Sequence, residues 1–236
     1  MTFNRYESRE EAGSRLVKHI QSHDKNLHLD VQENPQEYFC FAIPNGGVPV
    51  AEGFCSKLDL AYDLLIVRKI KIPSNPEAGF GSITTDGTLL INEPLFNQLN
   101  LSKSEKEQTI QTTKSEIRDR LDFYDKNSDY ITQLSSKIKS KNIFLVDDGL
   151  ASGFTMLAAI KMIKKYEPQQ IFVAVPTAPQ RTVDKIDQKV RKVFCPNIKN
   201  VFRFAVASAY KHWYDLSESE VLEIITNSDH YQKAEN

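Results

Sequence analysis

The fold class is decided by residues 143–155, which read Ile-Phe-Leu-Val-Asp-Asp-Gly-Leu-Ala-Ser-Gly-Phe-Thr. The four consecutive apolar residues predict a short strand that is covered on both faces, as the strands of a parallel sheet are. Two aspartates and a loop of small residues follow this strand. Apolar residues at 156, 159, 160 and 163 then share one face of a helix. A strand, a loop and a helix in this order predict part of a parallel α/β sheet.

The same alternation of strand and helix continues on both sides of this stretch. Helices are predicted at 8–21, 48–58, 102–124 and 179–187, and strands at 38–43, 64–67, 171–175 and 191–194. Candidate capping boxes, which mark helix starts, join Ser8 to Glu11, Ser102 to Glu105 and Ser217 to Glu220. The pattern predicts an α/β fold with a mostly parallel sheet flanked by helices. We expect one domain over residues 1–236, with its core at about 36–195.

Residues 70–88 interrupt this alternation with two prolines and three glycines. A loop or an extended hairpin is predicted there. A loop of this length in a compact domain is more often functional than not.

Composition limits the classes of partner. The 236 residues include 30 Lys and Arg against 31 Asp and Glu, which provides no overall attraction to nucleic acid or to an anionic membrane. No apolar run approaches the roughly 18 residues of a membrane helix, and the first residues lack the pattern of a secretory signal. We therefore expect a cytoplasmic protein, with Cys40, Cys55 and Cys195 as buried free thiols.

The acid pair Asp147 and Asp148 follows the predicted strand, at the edge where ligands bind in open α/β sheets. Ionised carboxylates only accept hydrogen bonds, so an adjacent pair suits the two vicinal hydroxyls of a ribose. The loop at 151–155 leads into a helix whose first turn presents backbone N–H groups to an anion. The hydroxyls of Ser152 and Thr155 add donors. The stretch therefore predicts a ribose 5-phosphate site, and it is not a Walker loop because no Gly-Lys-Ser/Thr ends it.

Two other interpretations of polar clusters are open. The acid pair could bind a metal alone or form a phosphorylation site as in receiver domains, although those carry their acid pair early in the chain. His19 and His23, with Asp24 and His28 nearby, have a spacing that is compatible with a metal. A solvated helix face explains these histidines better, because nothing else converges there.

Residues 146–155 resemble the phosphoribosyl pyrophosphate (PRPP) motif of type I phosphoribosyltransferases in their order of strand, acid pair, loop and helix. Gly149 stands where most of that family has a branched aliphatic residue, and Phe154 where a small one is common. Gly149 does match a subgroup of largely uncharacterised phosphoribosyltransferases. The segments 43–51, 67–69, 75–77 and 174–176 resemble the same subgroup, so the resemblance covers almost the whole chain.

The resemblance implies a type I phosphoribosyltransferase-like fold with a flexible loop and a small hood. The flexible lid would lie at about 70–88. The hood would be formed by additions at the two ends of the chain, including about 200–236. In the family, transfer of ribose 5-phosphate from PRPP to a nitrogenous acceptor, such as a nucleobase, releases pyrophosphate. Mg²⁺ is then held mainly by PRPP, near Asp147 and Asp148, with no direct protein ligand.

The resemblance also implies a role for each matching residue. Asp147 and Asp148 would hold the ribose hydroxyls and, with Arg68 and Lys69, would form the catalytic set. The 5′-phosphate would be bound by Ala151, Ser152, Gly153, Phe154 and Thr155, and the pyrophosphate by Asn45, Gly46, Gly47, Arg68, Lys69 and Lys71. The peptide bond between Pro44 and Asn45 is expected to be cis. No residue stands out as a general base.

The aromatic residues Tyr210, Trp213 and Tyr214 lie close together in the carboxyl-terminal part of the chain. They could pack within the hood or stack on the acceptor, and both interpretations stay open. A different function is a non-catalytic PRPP or nucleotide sensor, which could bind RNA as some relatives do. The expected partners are PRPP and a small nitrogenous acceptor, in a homodimer as is usual among relatives, with no membrane or nucleic acid.

Overall fold

A parallel five-stranded sheet lies at the centre of the structure, a computed structural model that describes residues 3–73, 75–126 and 130–232. The strands are β1 Tyr38–Ala42, β2 Tyr62–Leu64, β3 Val67–Ile72, β4 Asn75–Thr84, β5 Leu89–Ile91, β6 Asn142–Val146, β7 Gln170–Ala174, β8 Thr177–Pro179, β9 Lys192–Phe194 and β10 Asn197–Lys199. The α-helices are α1 Arg9–His23, α2 Lys25–Glu33, α3 Gly47–Leu58, α4 Glu93–Gln98, α5 Lys103–Phe123, α6 Tyr130–Ile138, α7 Phe154–Ile163, α8 Gln180–Asp187 and α9 Glu218–Asn227. The central sheet has the order β2-β1-β6-β7-β9, which confirms the predicted α/β class.

Strands β1 and β6, in the middle of this sheet, are buried at every position. β1 and β6 consist of continuous apolar or small residues with one polar exception, Asn142, because helices cover both faces of the sheet. Phe144 of β6 packs against the rings of Tyr38, Phe54 and Phe172. The strands that carry the predicted site are thus held rigidly in the core.

The strand registers bring three loops to one edge of the sheet. Ala42 at the end of β1 pairs with Val146 at the end of β6, which pairs with Ala174 at the end of β7. The chain runs outward from β1 to β2 on one side and from β6 to β7 and β9 on the other. A crevice is expected at such a reversal, outside the carboxyl ends of the strands.

A separate antiparallel sheet is formed by β3, β4 and β5. The prediction of one strand over 64–67 was wrong, because β2 ends at Leu64 and β3 begins at Val67 in the other sheet. All four of these residues are buried, so their apolar pattern could not reveal the change of sheet. Of the predicted loop or hairpin, residues 70–73 and 75–88 form an extended hairpin rather than an irregular loop, with Phe80 and Ile83 in the core. A lid movement of this hairpin stays a prediction.

Residues 25–33, for which the sequence predicted no helix, form α2. The carboxylate of Asp24 caps this helix by accepting the N–H of Leu27 at 3.2 Å. Only His28 and Val31 of the helix are buried, so its apolar spacing is too sparse to predict it from sequence. The described residues also place Cys40, Cys55 and Cys195 as buried free thiols, which confirms the expectation for them.

The two ends of the chain fold back onto the sheet. Tyr6 forms a bridge with Tyr210, and the backbone of residues 230–232 hydrogen-bonds to Tyr62 beside β2. Among the helices that the structure describes, none combines the length and the apolar character needed to cross a membrane.

Helices α1 and α3 cross in close contact through two glycines. A Cβ added at Gly53 would lie 2.0 Å from the carbonyl oxygen of Glu10, and one added at Gly13 would lie 2.0 Å from that of Val50. Backbone atoms occupy these positions, so a side chain could be accommodated only if the helices separated. The crossing fixes the first turn of α1 above the carboxyl edge of the sheet.

We predict that Gly53→Ala destabilises the protein. The new methyl group meets backbone rather than a movable side chain. We expect a net loss of about 2 kcal/mol, because strain exceeds the gain of about 1 kcal/mol in helix propensity. Urea unfolding followed by circular dichroism measures this change. Ser56→Ala, at an exposed position of α3, is the control and should stay within about 0.5 kcal/mol of the parent. Equal stability of Gly53→Ala and the parent would contradict the close crossing.

Candidate active site

The two carboxylates at the end of β6 point in different directions. The N–H of Asp148 donates to Oδ1 of Asp147 at 2.8 Å. Asp147 lines a cavity of about 460 Å³, whereas Asp148 faces α1 and the turn after β1. Burial and the neighbouring Asp148 charge raise the pKa of Asp147 well above its ordinary value of 3.8. Burial also raises the pKa of Asp148, although the Arg9 guanidinium opposes this rise.

Arg9, at the start of α1, is the cation that contacts the acid pair. Its Nε donates to Oδ2 of Asp148 at 3.0 Å, and the side chains of Arg9 and Asp148 are only 7% and 14% exposed. The other end of the guanidinium donates to the backbone carbonyl of Tyr214 at 3.1 Å. Arg9 therefore joins the sheet edge to the carboxyl-terminal segment and compensates one of the two carboxylates.

The aromatic residues of the carboxyl-terminal segment surround Arg9. The guanidinium carbon lies 4.2 Å from the ring centroid of Trp213, and 5.7 Å from those of Tyr210 and Tyr214. The hydroxyl of Tyr210 donates to the backbone carbonyl of Asp148 at 2.7 Å. Tyr210 is buried, but Trp213 and Tyr214 retain exposed surface. These side chains thus pack around Arg9 and border the acid pair.

The predicted phosphate loop forms the wall of the cavity next to Asp147. Ala151, Ser152, Gly153, Phe154 and Thr155 all line it, together with Lys69 and Val206. Gly153 is the N-cap of α7 and has φ +77°, a conformation that favours glycine. No side chain in the described part of the chain caps this helix, and Phe154 and Thr155 of its first turn line the cavity. Thr182 fixes the loop by donating to the carbonyl of Ala151 at 2.8 Å.

The turn after β1 lies directly against the acid pair. The peptide bond between Pro44 and Asn45 is cis, which confirms the prediction. A Cβ at Gly46 would lie 1.9 Å from Oδ2 of Asp148, and one at Gly47 would lie 2.8 Å from the carbonyl oxygen of Val146. Only glycine allows this approach. The N–H of Gly47 already donates to the carbonyl of Ile43 at 3.1 Å. Among the described residues, the N–H groups of Asn45 and Gly46 are left for a ligand.

The predicted cations lie in two groups. Lys69 lines the cavity, whereas Arg68 and Lys71 are bound to Glu116 of α5, at 3.2 Å and 3.7 Å. Asn45 contacts the same helix, because its Oδ1 accepts from Nη1 of Arg120 at 2.8 Å. The structure therefore brings Asp147, Lys69 and residues 151–155 to one cavity, and Asn45, Arg68 and Lys71 to the adjacent face of α5.

Gly149, the main departure from the family motif, has a structural reason. A Cβ there would lie 2.6 Å from Cγ1 of Val206 and 3.0 Å from Cγ2 of Thr177. Val206 belongs to the short 3₁₀ helix Val206–Ala209 that precedes Tyr210. The absence of a side chain at position 149 lets this segment pack directly against the end of β6.

Sequence reasoning missed Arg9, Glu116 and Arg120 because their local patterns are uninformative. Arg120 lies in the last turn of α5, where a cation is favourable in any helix. Arg9 lies in the first turn of α1, where a cation opposes the helix dipole, and that is a weak signal for another role. Arg120 contacts Asn45 across 75 residues of sequence, and Arg9 contacts Asp148 across 139.

No metal-binding cluster of three or more His, Cys, Asp or Glu side chains occurs within 3–73, 75–126 and 130–232. The rings of His19 and His23 stack 4.0 Å apart on α1. Mg²⁺ that arrives with a phosphate substrate commonly takes one or two carboxylates and completes its shell with substrate oxygens and water. Asp147 faces the cavity and would lie near such an ion, whereas Asp148 is paired with Arg9.

The chain matches one known protein family along most of its length. The family model "Phosphoribosyl transferase domain" matches residues 11–211. A Mycobacterium tuberculosis protein from strains CDC 1551 and H37Rv, provisionally named a phosphoribosyl transferase, is 27% identical over 217 residues, or 92% of this chain. The chain spans 45% of the length of that relative. The crystal structure of a Thermus thermophilus protein has a TM-score of 0.69 at 24% identity, and the alignment covers 94% of this chain and 97% of that one, which shows a shared fold.

The raised pKa of Asp147 predicts a stability that depends on pH. Folded protein keeps a proton on Asp147 at pH values where the unfolded chain has lost it, so stability falls as the pH rises above about 4. Asp147→Asn cannot ionise and should be more stable than the parent at pH 8. The difference should shrink as the pH approaches 4. Thermal unfolding in metal-free buffer measures this difference in stability, since each kcal/mol shifts the melting temperature by about 2–4 °C.

The control for this titration is Asp229→Asn, which makes the same chemical change at an exposed position. Its melting temperature should follow that of the parent at every pH. A gain for Asp147→Asn that was no larger at pH 8 than at pH 5 would contradict the raised pKa.

Proposed function

The chain belongs to the type I phosphoribosyltransferase family, and we propose that it transfers ribose 5-phosphate from PRPP to a nitrogenous acceptor, with release of pyrophosphate. The observation that carries this proposal is the shared cavity of Asp147 and residues 151–155. A carboxylate for hydroxyls and a helix start for a phosphate line the same cavity, and ribose 5-phosphate carries both of these groups.

The 5′-phosphate would bind at the start of α7. Its oxygens would accept from the backbone N–H groups of the first turn and from the hydroxyls of Ser152 and Thr155. Gly153 lets the loop turn sharply into the helix, since its φ is +77°. The ribose would then extend toward β6, where Asp147 accepts hydrogen bonds from its hydroxyls. Asp148, held by Arg9, borders the same end of the strand.

The pyrophosphate would lie at the turn after β1. Gly46 of this turn approaches the Asp148 carboxylate closely, which would bring the turn close to the sugar. Lys69 lines the cavity and would contribute a positive charge between the sugar and the leaving group. Arg68 and Lys71 lie on the same strand, β3, and would add charge from the side of α5.

In the proposed reaction the bond from the anomeric carbon to the pyrophosphate oxygen breaks, and its electron pair leaves with pyrophosphate. The nitrogen lone pair of the acceptor forms the new bond, and the nitrogen then loses its proton. Positive charge develops on the sugar ring in the transition state, which ionised carboxylates nearby stabilise. Catalysis would therefore depend mainly on positioning and on electrostatics. Mg²⁺ held by PRPP near Asp147 and Asp148 would neutralise charge on the leaving group.

We place the acceptor beside the hood, next to the acid pair. Arg9 packs against Trp213 at 4.2 Å, so a planar base would stack on the aromatic surface that stays exposed. Tyr214 is 52% exposed and offers more of that surface than the other two rings. A nucleobase is the acceptor class that suits this edge.

We predict that Asp147→Asn and Asp148→Asn, singly and together, weaken PRPP binding. An amide keeps the shape of the side chain but loses one acceptor and the negative charge. Each single change should lower PRPP affinity about 10-fold or more, because hydrogen bonds to a charged group are strong. Calorimetric titration of PRPP with Mg²⁺ measures this effect. Asp229→Asn is the matched control and should bind as the parent does.

Release of pyrophosphate from PRPP, with a panel of nucleobases and Mg²⁺, tests turnover itself. The proposal expects release with at least one base and none with the double variant. Tight PRPP binding without release for any acceptor would favour the non-catalytic sensor. Parent-like PRPP affinity in all of the aspartate variants would refute the ribose site for both functions.

We further predict that Thr155→Val affects only the phosphate end of the site. Valine has nearly the same shape but lacks the hydroxyl, so affinity for ribose 5-phosphate and for PRPP should fall about 10-fold. Affinity for free pyrophosphate should stay unchanged, because pyrophosphate binds at the other end. The same titrations measure all three ligands. An equal loss for pyrophosphate, or no loss for ribose 5-phosphate, would contradict the placement of the phosphate.

A further inference from the structure

Arg120, in the last turn of α5, reaches the turn after β1. Its Nη1 donates to Oδ1 of Asn45 at 2.8 Å, and its Nε lies 2.8 Å from Oε1 of Glu218. The side chain is only 13% exposed. Two nitrogens of the guanidinium are therefore held in place, one by Asn45 on the loop that precedes α3 and one by Glu218 at the start of α9.

The side chain of Asn45 is occupied at both ends. Its Oδ1 accepts from Arg120, and its Nδ2 donates to the backbone carbonyl of Leu216 at 2.6 Å. The turn formed by Asn45, Gly46 and Gly47 has no charged side chain of its own. A doubly charged leaving group at this turn would need a cation from another part of the chain.

Helix α5 also contacts two cations of strand β3. Glu116, one helical turn before Arg120, binds Arg68 at 3.2 Å and Lys71 at 3.7 Å. Burial and the nearby Arg68 guanidinium lower the pKa of Arg120, which places the two guanidinium groups within electrostatic reach of each other. Within the residues that the structure describes, the three cations Arg68, Lys71 and Arg120 are contacted by two carboxylates, Glu116 and Glu218. The cluster therefore has positive charge left for an anion.

We propose that Arg120 binds the pyrophosphate end of PRPP and provides the charge that the turn lacks. This inference rests on the proposed function. A guanidinium presents five N–H donors in a planar fork; the contact with Asn45 uses one on Nη1, and the ion pair with Glu218 uses the one on Nε. Within the described part of the chain, the two N–H groups of Nη2 are left for phosphate oxygens, which Arg binds in a bidentate way. The hydrogen bond to Asn45 holds this fork beside the N–H groups of Asn45 and Gly46.

The test compares three ligands in four proteins. The parent, Arg120→Gln, Arg120→Lys and Arg118→Gln are titrated with PRPP, with pyrophosphate and with ribose 5-phosphate, each with Mg²⁺. Arg118 is an exposed arginine of the same helix and gives the matched control. Thermal unfolding of each variant reports whether the fold is kept.

We expect Arg120→Gln to lose about 10- to 100-fold in affinity for PRPP and for pyrophosphate, and nothing for ribose 5-phosphate. Arg120→Lys keeps the charge but not the fork, so it should lose less for the same two ligands. Arg118→Gln should match the parent with all three. If Arg120→Gln does not fold, the Arg120→Lys variant alone tests the inference: it should lose affinity for PRPP and pyrophosphate but not for ribose 5-phosphate.

Two results would overturn the inference while the proposed function stands. The first is parent-like affinity of both Arg120 variants for pyrophosphate and PRPP. The second is an equal loss for ribose 5-phosphate, because a merely structural role of Arg120 would disturb both ends of the site. A parent protein that does not bind PRPP at all would instead refute the proposed function, and the inference with it.

Discussion

Two adjacent carboxylates, buried at the end of a central strand, are the constraint around which this structure is arranged. Asp147 and Asp148 follow β6, and burial raises the pKa of both. One cation, Arg9, contacts Asp148 at 3.0 Å, and Asp147 is left to face the cavity. Such an arrangement costs stability, since like charges in a buried site repel each other. Destabilising charge arrangements of this kind are concentrated at functional sites, where a ligand interacts with the charged groups.

The contacts around the acid pair depend on the absence of side chains at several glycines. Gly46 and Gly47 allow the turn after β1 to touch the acid pair, and Gly149 leaves space for Val206 of the carboxyl-terminal segment. Gly13 and Gly53 let α1 cross α3 closely enough for Arg9 to reach Asp148. The three groups of contacts bring the turn, the carboxyl-terminal segment and the amino-terminal helix to a single sheet edge. A Cβ at Gly13, Gly47 or Gly53 would meet backbone atoms, and one at Gly46 or Gly149 would meet the side chain of Asp148 or Val206.

Local sequence patterns were sufficient where neighbouring residues determine the structure. Ser8, Ser102 and Ser217 each accept the N–H of the glutamate three residues later, as their spacing predicted. The order of β6, acid pair, loop and α7 also agrees with the sequence. The patterns failed for residues 64–67, because burial on both faces does not say which sheet a residue joins. They failed for α2 as well, where few buried positions leave little periodicity.

By itself the sequence determined the class of the fold and the order of β6, the acid pair, the loop at 151–155 and α7, since these features lie within a short segment. Only the tertiary structure decided how the charges are compensated. Arg9 meets Asp148 across 139 residues, and Arg120 meets Asn45 across 75. Neither contact leaves a local pattern, because helix propensity and apolar spacing describe neighbours in the chain and not partners across the fold. The sheet registers and the helix crossing place these arginines, and through them the electrostatics of the site.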